Sequence, residues 1–231
     1  MMSGYLSRCA GQQSGASSQV MNMPSTLLRF FDREHYACRF VEGEIRVGLL
    51  ERYRTIEGSR KDESEGRVSF YWNQKAPELV IDKATGQVVG QRESDQNIHY
   101  CGSSVNPHFV LCTSHPDVEI QVLVRRFGQF IVRIDDPTAL LERMKTAWKS
   151  HAWALDGGAL IVPVVYNKDG LLQTDPYLIA PPHLDYSQKP ELFKEEREFR
   201  YVLTCSIDTT RALQDALTLK LPDCSDICSL N

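Results

Sequence analysis

The sequence predicts an α+β domain, and three observations carry that expectation. The chain has 231 residues, 42% hydrophobic and 24% charged, the make-up of an ordinary globular chain with room for one full core, for which one α+β or α/β domain is the default. Short apolar runs separated by turn residues recur along it, most densely over 109–134, and suggest a compact β core. Two segments carry helical spacing with start and stop signals.

Residues 1–22 are rich in Ser, Gly and Gln and hold too few large apolar side chains to offset ordering entropy, so they read as a loosely held arm preceding a domain over 23–231. The domain opens with a strand over 26–31. Asp32 can then cap a helix whose apolar positions Tyr36, Ala37, Phe40 and Val41 recur at helical spacing, and Gly43 can close it. A strand over 44–49 leads into a charge-dense run, 51–65, which reads as a solvated loop or helix face. A strand over 68–72 precedes a hairpin, 79–82 with 87–91, around Ala84-Thr85-Gly86. Residues 109–113, 120–124 and 129–134 read as three further strands. Asp136-Pro137 is a helix start with a capping carboxylate and a first-turn proline, and Leu140, Leu141, Met144, Ala147 and Trp148 form the stripe it buries. Residues 160–166 read as a central strand, the proline-bearing 175–190 as an irregular connection, 199–205 as the last strong strand and 208–217 as a short helix.

The net charge of −4 argues against a uniformly basic nucleic-acid binder, although a local basic cleft is compatible with it. No apolar run approaches the ~18 residues that span a bilayer, and the amino terminus lacks the basic-then-apolar layout of a secretory signal, so a cytoplasmic protein without membrane attachment is expected. Seven cysteines, an odd count without Cys-x-x-Cys, read as reduced thiols, and the histidines show no metal-ligand spacing; no metal site is expected.

Three short stretches place polar residues where buried strand should be apolar: Arg29 within 27–31, Thr113 and Ser114 closing 109–114, and Glu196-Arg197-Glu198-Phe199-Arg200. Each has a plain structural explanation. Arg29 can sit in an ion pair, the hydroxyls can bond local backbone, and Glu198 and Arg200 can be the wet face of an amphipathic strand. On a strand, Glu196, Glu198 and Arg200 would share one face while Arg197, Phe199, Tyr201 and Leu203 share the other, and two neighbouring carboxylates would raise the pKa of one.

The order Arg, then Thr-Ser, then Glu-x-Glu resembles the ADP-ribosyltransferase superfamily, in particular its Arg-Ser-Glu branch. The resemblance spans Leu27 to Leu203 in order of motifs and departs in the middle, where Cys112-Thr113-Ser114 stands for Ser-Thr-Ser. It implies a split, mostly antiparallel β core flanked by helices, NAD as the donor, and transfer of ADP-ribose to a macromolecular acceptor, protein or RNA/DNA. It further implies that Glu198 stabilises the oxocarbenium ion formed as the nicotinamide bond breaks, that Glu196 orients or deprotonates the acceptor, and that Arg29 holds the cofactor, with Thr113 and Ser114 bracing the site. Phe30, Tyr36 and Tyr53 are candidates for stacking on NAD, Tyr36 first because it closely follows the Arg strand. Arg54 and Arg60 are candidate phosphate contacts should the 51–65 run close over the cleft. Transferases of this kind look like toxin–antitoxin or anti-phage toxins, silenced by an antitoxin or inhibitor protein. Two other functions fit the same residues: an NAD glycohydrolase on the same scaffold, and a non-catalytic interaction module in which Arg29 and Glu198 form a structural ion pair.

Overall fold

The computed structural model describes residues 23–54, 68–81, 87–102, 106–166, 171–173, 186–206 and 215–231. The arm, most of the charge-dense run with Arg60, and most of the 208–217 helix lie outside the described residues. Those residues form an α+β structure with a mostly antiparallel sheet and a few helices. No described helix is long and apolar enough to cross a membrane.

The first unit follows the sequence closely. Strand β1 (Leu27–Phe31) leads into α1 (Glu34–Val41), and Gly43, at φ 92°, turns the chain into β2 (Glu44–Leu49). The helix buries Ala37 and Phe40. Its cap differs from expectation: Arg33 occupies the N-cap without a side-chain hydrogen bond, so Asp32 does not cap it. A 3-10 turn (Leu50–Arg54) follows.

The segments at 68–72 and 79–82 belong to one long strand, β3 (Val68–Ile81), paired antiparallel with β4 (Val88–Gly102) from Val68↔Gly102 to Ile81↔Val88. Strand β5 (His108–Ser114) is buried nearly throughout. Residues 120–124, expected as a strand, are instead part of helix α2 (Ile120–Phe127). Leu123 and Phe127 lie one turn apart and pack with Leu28, Phe30 and Val118, and this i, i+4 stripe outweighs the β-branched content of the segment. Gly128, at φ 116°, stops the helix before β6 (Phe130–Ile134). Asp136 does cap α3 (Pro137–Trp148), its Oδ1 accepting from the Ala139 amide at 2.9 Å, and Leu140, Leu141, Met144 and Trp148 are buried as the stripe predicts.

The apolar run at 160–166 divides into β7 (Ala154–Pro163) and β8 (Val165–Tyr166), and β7 is an edge rather than a central strand, since its one partner among the described strands is late in the chain. After β9 (Leu171–Gln173), which pairs with β3, the chain forms β10 (Gln188–Lys189), parallel to β8, within the stretch expected to be irregular. A second 3-10 turn (Glu191–Glu196) precedes β11 (Glu198–Cys205), whose eight residues are all buried. Leu217, expected in a helix, lies in β12 (Ala216–Lys220), and β13 (Cys228–Leu230) closes the chain.

The eight-stranded sheet runs β12-β2-β5-β1-β6-β13, with β11 against β5 and β7. Strand β5 is its junction. One edge pairs with β11 along its whole length, Glu198↔Ser114 to Thr204↔His108. The other edge is shared: β2 takes Phe109 and Val110, β1 takes Ser114, and among the described residues no strand pairs with the stretch between. The sheet is therefore split along β5. The main core, including Leu27, Phe40, Leu111, Met144, Trp148 and Tyr201, fills one face.

Gly128 fixes the carboxyl end of β1 and thereby the strand that carries Arg29. A Cβ there would lie 2.1 Å from the Phe31 carbonyl oxygen and 2.3 Å from its carbon, both backbone. Gly128→Ala should cost more than about 2 kcal/mol, given the clash and the positive φ; urea denaturation monitored by tryptophan fluorescence measures it.

Candidate functional site

The split in the sheet is where the polar strand residues meet. A cleft of about 700 Å³, counting its open mouth, is lined by Arg29, Thr113, Ser114, Glu196 and Glu198, together with Leu28, Phe30, Tyr53, Cys112, Phe127, Lys189 and Phe193. Five residues drawn from three segments scattered over 170 positions of sequence thus share one wall. Register explains it: β1 and β11 meet β5 from opposite edges at Ser114, opposite Leu28 on one side and Glu198 on the other.

Arg29 reaches across the split. Its Nη1 donates to the Cys112 carbonyl on the unpaired edge of β5, its guanidinium carbon stands 5.5 Å above the Phe31 ring, and its Nε is buried without a hydrogen-bond partner. A buried guanidinium N–H without an acceptor costs free energy, so the position is poised for a ligand oxygen. Thr113 is committed elsewhere: its hydroxyl donates to the Phe199 carbonyl at 2.9 Å and ties β5 to β11. Ser114, on the alternate face, lines the cleft.

Glu198 is not a wet strand residue. It is 3% exposed and Arg200 1%. Arg200 Nε donates to Glu198 Oε1 at 2.7 Å, Lys189 Nζ stands 2.7 Å from Oε2, and the Glu198 amide donates to the Tyr166 hydroxyl at 2.8 Å. Burial pushes the Glu198 carboxyl up, but the charges of Arg200 and Lys189 and hydrogen bonds from Arg200 and the Cys112 thiol outweigh it, and the group is held well below the usual carboxylate range. The carboxylate repulsion expected from Glu-x-Glu is thus cancelled, and Glu198 stays charged.

Glu196 does not lie on the strand. It ends the second 3-10 turn, and Arg197, at φ 39°, joins it to β11 in a left-handed conformation unfavourable for a residue with a Cβ. Even so, Glu196 faces the same ammonium: Lys189 Nζ donates to Glu196 Oε2 at 2.8 Å, while Arg126 Nη1 of α2 donates to Oε1 at 2.9 Å. Lys189 is itself oriented by pairing with Tyr166 in the β10–β8 ribbon and lies 5.1 Å from the Phe193 ring centroid.

Lys189, Arg126, Cys112 and Tyr166 were not anticipated as site residues. The position of Lys189 depends on the non-local β10–β8 pairing, for which two residues before a proline give little signal. Arg126 follows from reading 120–127 as a helix. Of the aromatics, Phe30 and Tyr53 line the cleft, the Tyr53 hydroxyl standing 3.1 Å from where a Cβ of Gly48 would be. Burial, with Cys112 and Glu198 adding to it against Arg29 and Arg200, pushes the Tyr53 phenol up, so it is a neutral donor. Tyr36 is not among the cleft residues: it is exposed on α1, its ring 4.0 Å from that of His35. Arg54 ends the first 3-10 turn, and its side chain, like Arg60, lies outside the described residues. Among the described residues no group of His, Cys, Asp or Glu could hold a metal ion.

No family model, no curated protein and no solved structure matches the chain. The geometry of the cleft is therefore the ground for its chemistry. Among the residues lining the cleft, the cations Arg29 and Lys189 match the carboxylates Glu196 and Glu198 in number, and Arg126 and Arg200 reach those carboxylates from outside the lining.

Removing the Glu198 charge uncovers Arg200 and Lys189, so Glu198→Gln should lower stability by about 2–4 kcal/mol at neutral pH. A carboxyl depressed by folding contributes stability above its unfolded pKa, here about 4.5, and loses it as pH falls through the folded value. Denaturation at a series of pH values should show the gap between wild type and Glu198→Gln constant above about pH 5 and narrowing below 4.5.

Proposed function

We propose that the chain is an NAD-dependent ADP-ribosyltransferase whose active site is the cleft between β1 and β11. The observation that carries this reading is the convergence of Arg29, Ser114 and Glu198 on that one cleft, in the order in which the chain resembles the family.

The residues fit NAD as substrate. Its diphosphate is a dianion, and the cleft supplies the Arg29 guanidinium, whose Nε is buried without an acceptor. Phe30 and Tyr53 offer ring faces for nicotinamide or adenine. In the reaction the bond between C1′ of the ribose and the nicotinamide nitrogen breaks, the electron pair leaves with nicotinamide, and positive charge develops at C1′. A carboxylate that remains ionised stabilises that charge. Each Glu198 oxygen has two acceptor positions, so Arg200 and Lys189 leave capacity for a ribose hydroxyl. The acceptor nucleophile then bonds to C1′ and its proton passes to Glu196, the neighbouring carboxylate. The macromolecular acceptor is a protein or a nucleic acid, and the resemblance suggests a cytoplasmic toxin or phage-defence effector held silent by an inhibitor protein.

Two rivals divide on specific observations. Both Glu196 oxygens already carry cations, from Arg126 and Lys189, which favours water as acceptor and so an NAD glycohydrolase on the same site. The non-catalytic reading needed Arg29 and Glu198 as each other's ion-pair partners, and Glu198 is paired with Arg200 and Lys189 instead.

Incubation with radiolabelled NAD and whole-cell lysate, followed by protease or nuclease, tests the proposal. Label retained in one fraction and lost with Glu198→Gln, compared at equal folded protein, is the expected result. Free ADP-ribose without labelled macromolecule would move the assignment to the glycohydrolase, and intact NAD would end both. Arg29→Ala should weaken NAD binding by about tenfold to a hundredfold in calorimetry, the size of a charge-assisted hydrogen bond.

A further inference from the structure

Between the two carboxylates stands an ammonium that neither the Glu-x-Glu motif nor the family resemblance supplies. Lys189 Nζ is 2.8 Å from Glu196 Oε2 and 2.7 Å from Glu198 Oε2, and the Lys189 side chain is 11% exposed. Without a shared cation, two carboxylates this close would repel, and one would turn away or take up a proton. The backbone does not hold them together, since Glu196 lies outside the strand and reaches it through the left-handed Arg197.

We propose that Lys189 is a positioning residue, the shared counter-ion that fixes Glu196 and Glu198 in one orientation toward the cleft. This inference rests on the transferase or glycohydrolase reading of the site. Lys189 is well suited to the task. Its backbone is pinned by the β10–β8 pairing and by the proline that follows, and Phe193 lies beneath the ammonium. The other charged or titratable groups facing Glu198 are Arg200 on β11 itself, Cys112 on β5, Tyr166 on β8, Tyr53 from the first 3-10 turn and Arg29 on β1, with Glu196 on the approach to the strand. Of these, Arg200 touches Glu198 and not Glu196, and Arg126 touches Glu196 and not Glu198. Lys189 alone among the described residues joins the two.

The test is NAD consumption across pH for wild type, Lys189→Met and Lys189→Arg, with melting temperatures alongside. Lys189→Met should lower kcat by about tenfold or more, the cost of loosely held catalytic groups, and move the acid limb of the rate to higher pH as Glu198 loses one of its two cations. Lys189→Arg, which can still bridge both carboxylates, should restore most of the rate and the wild-type acid limb. Unchanged kcat and unchanged acid limb in Lys189→Met would overturn the proposal, as would Lys189→Arg behaving like Lys189→Met. Should Lys189→Met fail to fold, Lys189→Gln is read in its place, and failure of both to fold would assign Lys189 to structure alone and overturn the proposal. The wild-type rate separates this inference from the reading beneath it: no NAD turnover by wild type removes the function itself, whereas an active wild type with an unaffected Lys189→Met removes only Lys189.

Discussion

A carboxylate taken out of water has to be given cations or give up its charge, and the neighbourhood of Glu198 is built around that requirement. Arg200 comes from the next position on the same face of β11, and its Nη1 is anchored to the Tyr186 carbonyl at 2.8 Å. Lys189 comes from the β10–β8 ribbon, whose Tyr166 also accepts the Glu198 amide. One buried charge thus draws together β11, β8, β10 and the turn that carries Glu196. Pairing a buried carboxylate in this way adds little net stability compared with an apolar core of the same shape. What the arrangement does supply is a charge that persists at an opening in the sheet, which a catalytic site can use.

The opening has a separate origin. Strands β2 and β1 lie beside different parts of the same edge of β5, and the backbone between them is met by a side chain, that of Arg29. An apolar residue at position 29 would leave the Cys112 carbonyl without that donor. With arginine the carbonyl is satisfied and one guanidinium N–H stays buried and unmatched. Structure and proposed function therefore ask for the same residue, so a stability loss on mutation would not by itself exclude a role in binding.

Much of this was legible in the sequence. The Arg strand, the Gly43 stop and the Asp136-Pro137 helix start rest on local rules that the environment did not overturn, whereas the wet face expected along 196–200 is buried. Arg29, Thr113, Ser114, Glu196 and Glu198 were identifiable because charge and hydroxyls interrupt apolar runs. Local rules failed where tertiary contacts decide. Residues 120–124 are β-branched enough to read as a strand and become part of helix α2 because Leu123 and Phe127 have a partner surface in Leu28 and Phe30. Leu217 sits in a strand because β2 offers an edge, with Leu217 opposite Val47. The burial of Arg200, the role of Lys189 and the contact of Cys112 with Glu198 depend on which segments lie across the cleft, and no spacing within one segment encodes that.

The central claim is that the cleft at the split of the sheet receives NAD with its nicotinamide ribose against Glu198. The most direct measurement is a crystal structure of the wild-type chain soaked with NAD or a non-hydrolysable analogue. The account predicts ligand density between β1 and β11, the diphosphate within hydrogen-bonding distance of Arg29 and a ribose hydroxyl on Glu198. An empty cleft at saturating ligand, or NAD bound elsewhere on the chain, would contradict it.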